Sequence, residues 1–164
     1  MMDVLGALEQ NSFSIWVRES RSLFAFPGIL LLHTFGMAVL VGLVAAIDLR
    51  ILGFAPAMPL APFERFLPLL WAAFFVNAAT GTILLVADAS TKLINPDFIV
   101  KMAFIALAVV TQRMIQRRVF GDPRAAQGPL PAQAKMLAVM SLACWLGAIT
   151  AGRLLAYVGT VSGL

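Results

Sequence analysis

Four long apolar runs dominate the chain, with polar positions clustered between them rather than alternating within them. Ser22–Ile47 and Phe66–Ala87 hold no Asp, Glu, Lys or Arg. Phe98–Ile115 is interrupted by Lys101 and Arg113, and Met136–Val158 by Arg153 alone. About 20 apolar residues, rising about 1.5 Å each, cross the hydrocarbon core of a bilayer as a helix. Each run is long enough, the third by a narrow margin. A spanning β-barrel needs alternating segments of about 10 residues, which these runs are not. The pattern predicts an all-α integral membrane protein: a four-transmembrane-helix bundle with a short N-terminal interfacial helix, forming a single membrane domain over residues 1–164.

The breaks between the runs set the expected boundaries. Residues 1–26 read as a lead-in, in which Phe13, Ile15, Trp16 and Val17 mix with Arg18, Glu19 and Arg21. That mixture suits a helix lying in the interface with Trp16 at headgroup level. Pro27 and Gly28 open helix one, expected at about 27–53. The segment Ala55–Pro62 carries Pro56, Pro59 and Pro62 and reads as non-helical. Helix two follows at about 66–88. Asn95-Pro96-Asp97 is a turn signal that also starts helix three, at about 98–118, which ends in Arg113, Arg117 and Arg118. Gly121-Asp122-Pro123 and Gly128-Pro129-Leu130-Pro131 mark the last connection, and helix four is expected at about 135–158. No internal repeat or second domain is evident.

Composition agrees with this reading. Only 12% of residues are charged, about half the share of a soluble domain. A net charge of +4 and a pI near 10.0 do not point to nucleic acid, because the cations stand at helix ends, where membrane proteins place them. The first ten residues carry Asp3 and Glu9 but no Lys or Arg. The first apolar run also exceeds the 7–15 residues or so of a signal core, so no cleaved signal peptide is expected. Cys144 is alone and mid-helix, which leaves no disulfide and no cysteine-based zinc site. The connections after helices one and three hold seven Lys or Arg, and the opposite side holds five. The positive-inside rule then favours both termini outside the cytoplasm, which for a bacterial inner membrane is the periplasm.

His33, the only histidine, lies six residues into helix one, about 9 Å below its entrance. An ionisable side chain at such a depth is a functional candidate, as well as a candidate for a neutral imidazole bonded to a neighbouring helix. Met37 falls on the same face at i+4, with Gly36 between them. Counting residues from the helix ends places Lys101, Met102 and Arg153 in the same layer as His33. Arg18, Arg21 and Lys92 lie at the rim above. Thr150, Arg153 and Tyr157 share a stripe on helix four, as Asn77, Gly81 and Asp88 do on helix two.

One imidazole, nearby thioethers and several cations at one membrane face suit a b-type haem. His33 would bind the iron, with Met102, Met37 or nothing opposite, and Arg153, Lys101, Arg18 and Tyr157 complete the candidate pocket. Copper(I) on His33 with Met102 and Met37 is the alternative metal reading, and a quinone headgroup would use the same cations. Lys101 and Arg153 also lie near enough to a boundary to snorkel. Ala38, Gly42 and Ala46 on helix one, and Ala143, Gly147 and Ala151 on helix four, repeat at the spacing that permits close helix contact.

Trp16-Val17-Arg18-Glu19-Ser20, Leu32-His33-Thr34-Phe35-Gly36 and Asp48-Leu49-Arg50-Ile51-Leu52-Gly53 resemble an uncharacterised family of small four-helix bacterial inner-membrane proteins. Asn95-Pro96-Asp97-Phe98 through Lys101-Met102, and Ala151-Gly152-Arg153-Leu154 with Tyr157, fit the same pattern. The resemblance spans nearly the whole chain and implies no activity. A fainter one is to copper-resistance D-type membrane proteins, which set several histidines in their helices where this chain has only His33.

The leading expectation is a membrane-embedded b-type haem protein in electron transfer, as the membrane subunit of a larger redox complex or as a homo-oligomer. It would work beside a redox partner protein or quinone in the lipid bilayer. The alternatives are a cofactor-free accessory or assembly subunit and a copper or small-solute permeation protein. No catalytic triad, phosphate loop or carboxylate pair suggests a self-contained enzyme.

Overall fold

The computed structural model describes the backbone of residues 2–121 and 130–161, and the side chains of 6–121 and 130–155. Helices are α1 (Met2–Glu9), α2 (Ser12–Glu19), α3 (Phe26–Leu52), α4 (Leu67–Val86), α5 (Ala89–Lys92), α6 (Pro96–Ile115) and α7 (Ala132–Val161). No strand occurs among the described residues. Four helical stretches are long and apolar enough to cross a membrane: Phe26–Leu52, Ala61–Val86, Pro96–Phe120 and Ala132–Leu155. They coincide with the four expected spans to within a few residues.

Local chemistry explains most boundaries. Asn95 caps α6 by accepting from Asp97 N at 2.8 Å, with Pro96 in the first turn, where its missing N–H costs nothing. Gly53 ends α3 at φ 104°, the left-handed conformation that favours glycine at a helix C-terminus. The segment before α4 departs from expectation. Ala61–Phe66 forms a 3₁₀ turn that leads straight into α4, because Pro62 sits in its opening turn and removes no needed donor. The lead-in also differs, being two short helices rather than one. They part at Asn11, whose side chain accepts from Phe13 N and starts α2.

The long helices alternate in direction. α4 packs antiparallel on α3, α7 on α3, and α6 on α7. One end of the bundle, here the proximal end, gathers the entrance of α3, the exit of α4, the entrance of α6 and the last turns of α7. The lead-in covers this end, with α1 against α5 and Val17 and Ser14 fully buried. The distal end holds the 53–66 connection and the start of α7. There Trp71 joins α4 to α6: its Nε1 donates to Gln116 Oε1 at 3.2 Å, and the Arg113 guanidinium lies 4.0 Å from its ring centroid.

The core runs between α3, α6 and α7, centred on Leu40, Val44, Ile47, Ile51, Ala108, Ile115, Leu137 and Trp145. Large apolar side chains such as Leu31, Phe35, Phe75, Ile99 and Leu146 stand exposed around it, a surface that water would not favour. Of the small-residue stripes, only the one on α7 packs in part inside the bundle. A Cβ at Gly147 would stand 2.8 Å from the Phe104 ring, and Ala151 is buried. On α3 the close approach is made by Gly36 against Ala73 and Val76 of α4. Ala38, Gly42 and Ala46 instead face outward.

Candidate functional site

At the proximal end the helices leave a partly open cavity of about 540 Å³, within the usual size range of ligand pockets, about 300–1,000 Å³. Among the described residues no side-chain hydrogen bond joins α4 to α6 at this end as the Trp71–Gln116 clasp does at the other, and the chain breaks helix between α4 and α5, where Asp88 adopts φ −150° and ψ 53°. Phe26, Leu30, Leu84, Leu85, Phe98 and Leu155 form apolar walls. Arg18, His33, Asp88, Thr91, Lys92, Asn95 and Lys101 supply the polar groups. Three cations face one carboxylate.

His33 is held by α4. Its Nδ1 lies 3.0 Å from Thr80 Oγ1, and Thr80 in turn sits 2.8 Å from the Val76 carbonyl oxygen. A hydroxyl has one proton. Given to Val76, that proton leaves Thr80 Oγ1 to accept from Nδ1–H, and the lone pair of the imidazole falls on Nε2. Nε2 has no hydrogen bond of good geometry among the described residues, and the Asn77 carbonyl also lies close enough to the ring to act on it. Gly81 makes the fit possible, since a Cβ there would stand 3.0 Å from His33 Cε1. The arrangement is the one a ligating histidine requires, with one nitrogen oriented by a hydrogen bond and the other available.

The cations differ in their commitments. Arg18 donates to the Ala87 carbonyl at 3.1 Å. Lys92 donates to the Leu84 carbonyl at 3.0 Å and pairs with Asp88 at 3.5 Å. Lys101 makes neither a hydrogen bond nor an ion pair among the described residues, and its stem runs along Gly152. An ammonium group so enclosed without an anion favours binding one.

Of the residues singled out in the sequence, His33, Lys101 and Arg18 share the cavity, and so do Gly81 and Asp88 from the helix-two stripe. Arg153, Met37 and Met102 are not among its lining. Arg153 and Met102 are exposed on the outer surface, as is Thr150. On α7 it is Gly152, one residue away, that faces inward. Tyr157 lies outside the described side chains. Thr80 was missed by sequence reasoning, and no sequence signal distinguishes it from Thr82, which bonds only its own helix at Ala78.

Among the described residues, no group of three or more His, Cys, Asp or Glu could hold a metal ion. No family model, curated protein or solved structure matches this chain.

Proposed function

We propose that this chain spans the bacterial inner membrane four times and binds one b-type haem in the proximal cavity, as an electron-transfer subunit of a larger redox assembly. One observation carries the reading. His33, with Nε2 unengaged, and Lys101, with no anionic partner among the described residues, line the same apolar-walled cavity. A haem asks for an imidazole ligand, apolar contact with its macrocycle and cations for its propionates. His33, the phenylalanine and leucine walls, and Lys101 with Arg18 answer those needs in turn. Bound there, the group would supply one-electron chemistry. The chain's own residues orient the imidazole through Thr80, make room for it at Gly81 and exclude water with Phe26, Leu30 and Phe98.

Copper fits less well, since His33 would be its only soft or borderline ligand in the cavity, Met37 and Met102 standing outside it. A cofactor-free accessory subunit is the second reading. It is favoured by the outward stripe Ala38, Gly42, Ala46, whose Gly42 has no neighbour within 4 Å of a Cβ position.

The purified protein from haem-replete cells should show a Soret band and a reduced α-band, and His33→Ala should lose both while still inserting. A colourless preparation would reject haem and favour the accessory subunit; copper without haem would favour permeation. Reporters fused to both ends should register the periplasm, and one placed within 121–131 the cytoplasm.

A further inference from the structure

The proximal cavity is walled by helix packing on three sides and not on the fourth. α3 packs on α4 and on α7, and α7 packs on α6. α4 and α6, the two ends of that series, are not a packed pair among the described residues. At the distal end side chains close the approach, Trp71 of α4 reaching Gln116 and Arg113 of α6. At the proximal end Leu84 and Leu85 of α4, and Phe98 and Lys101 of α6, line the cavity instead. The seam between these two helices is therefore where the partly open cavity meets the outside.

Depth and polarity say what lies outside. Leu84 and Phe98 stand two residues inside the ends of their helices at Val86 and Pro96, about 3 Å in, and Lys101 stands about 8 Å in. Ile99, next to Phe98, is exposed, as are Val100 and Met102 on α6 and Leu93 and Ile94 just before it. Apolar side chains so grouped face hydrocarbon more readily than water. From above, the connection between α4 and α6 is covered. α1 packs on α5, Glu9 accepts from the Ser90 N–H, and Arg18 donates to the Ala87 carbonyl. Ala87 and Ala89 are buried there.

The lining is sorted along the same direction. Asp88, Thr91, Lys92 and Asn95 make a polar rim on the connection, and Leu30, Leu84, Leu85 and Phe98 make apolar sides below it. Arg18, Lys92 and Lys101 bring three cations to the space. Such a lining suits a molecule with acid groups at one end and an apolar body, and a body of that kind leaves water for the bilayer.

We propose that the cavity is filled sideways from the bilayer, through the seam between the proximal halves of α4 and α6, by an amphiphile bearing its acid groups at one end. This route rests on the haem cavity proposed above, and haem belongs to that class, but the seam is set by helix packing and not by the iron.

The test is the collision accessibility of a nitroxide label in the full chain, held in phospholipid vesicles before and after adding haem. Labels are carried by Phe98→Cys, in the seam, and by Ile99→Cys, on the outer face, each combined with Cys144→Ala. Molecular oxygen, which concentrates in lipid, should relax both labels several-fold more than a water-soluble nickel chelate does. Haem should then cut oxygen access at position 98 several-fold and leave position 99 unchanged. A label at 98 that nickel reaches more readily than oxygen opens the cavity to water and overturns the route. One that neither reagent reaches closes the seam and overturns it too. A Soret band with oxygen access at 98 unchanged puts haem elsewhere and overturns the route for it. Oxygen access at 98 without a Soret band rejects haem and keeps the seam, whereas a Soret band with nickel access keeps haem and rejects the seam. Should Phe98→Cys fail to fold, Leu85→Cys reports from the α4 side.

Discussion

His33 packs against Gly81 so closely that a Cβ at position 81 would stand 3.0 Å from Cε1 and 3.5 Å from Nδ1. The glycine therefore carries a cost in helix propensity that its contact with the imidazole offsets. In a helix interior, Gly→Ala ordinarily gains about 0.8–1.0 kcal/mol. Here the gain should be cancelled by pressure on the ring. Gly81→Ala should leave Tm unchanged or lower in the wild type, yet raise it in a His33→Ala background. Thermal unfolding of the four proteins checks this as a double-mutant cycle; additivity would disprove the contact's importance.

Thr80 tests the orientation of the imidazole. Thr80→Val keeps the shape of the side chain but removes the acceptor for Nδ1–H. Losing an outer-shell partner of this kind typically weakens metal affinity about 10–100-fold. Haem titration followed at the Soret band should show that loss in Thr80→Val and not in Thr82→Val, whose hydroxyl bonds only the Ala78 carbonyl of its own helix. Equal affinities in the two variants would remove Thr80 from the site.

Lys101 and Arg153 lie at similar depth but on different surfaces. Lys101 lines the cavity, and Arg153 is exposed outside it. Lys101→Leu should lower haem affinity by about tenfold or more, the loss of one charge-assisted contact. Arg153→Lys and Arg153→Leu should both leave affinity unchanged, since a snorkelling cation contributes to position in the bilayer rather than to a ligand. Occupancy measured at limiting haem distinguishes them. A drop confined to the Arg153 variants would contradict the placement of α7.

The lead-in should respond to acid through Glu9. Its carboxylate accepts from the Ser90 backbone N–H at 2.6 Å. That hydrogen bond, with further help from the Ser90 side chain and the Arg18 charge, holds its pKa below the ordinary carboxylate value despite a small opposing effect of burial. A depressed folded-state pKa means that the stabilisation is complete above the ordinary value. It is lost as pH falls through that value to the depressed one. Amide exchange at Ser90, corrected for intrinsic rates, should therefore accelerate across that acidic window, and Glu9→Ala, which removes the acceptor, should show fast exchange at neutral pH already. Identical protection in both proteins at neutral pH would remove the carboxylate from the contact.

Run length and local capping are one-dimensional properties, and they were legible from the amino-acid order. The four spans follow from uninterrupted apolar stretches, the start of α6 from Asn95-Pro96-Asp97, and the end of α3 from Gly53. Depth was legible too, because a helix rises by a constant amount per residue. His33 and Lys101 do meet in one cavity as their depths implied. Azimuth was not. Successive helical residues are turned by about 100°, so the difference between Gly152 facing the cavity and Arg153 facing outward is one position, and nearly continuous apolar sequence offers no stripe to orient it. Asp48 was the exception that could have been caught, since it continues the buried series Leu40, Val44, Ile47, Ile51. Ser141, which lies beside it, comes from a helix far away in sequence. Only packing α3 against α7 decides that Asp48 and Ser141 come together, because what fixes a helix's rotation is the shape of the partners it packs against.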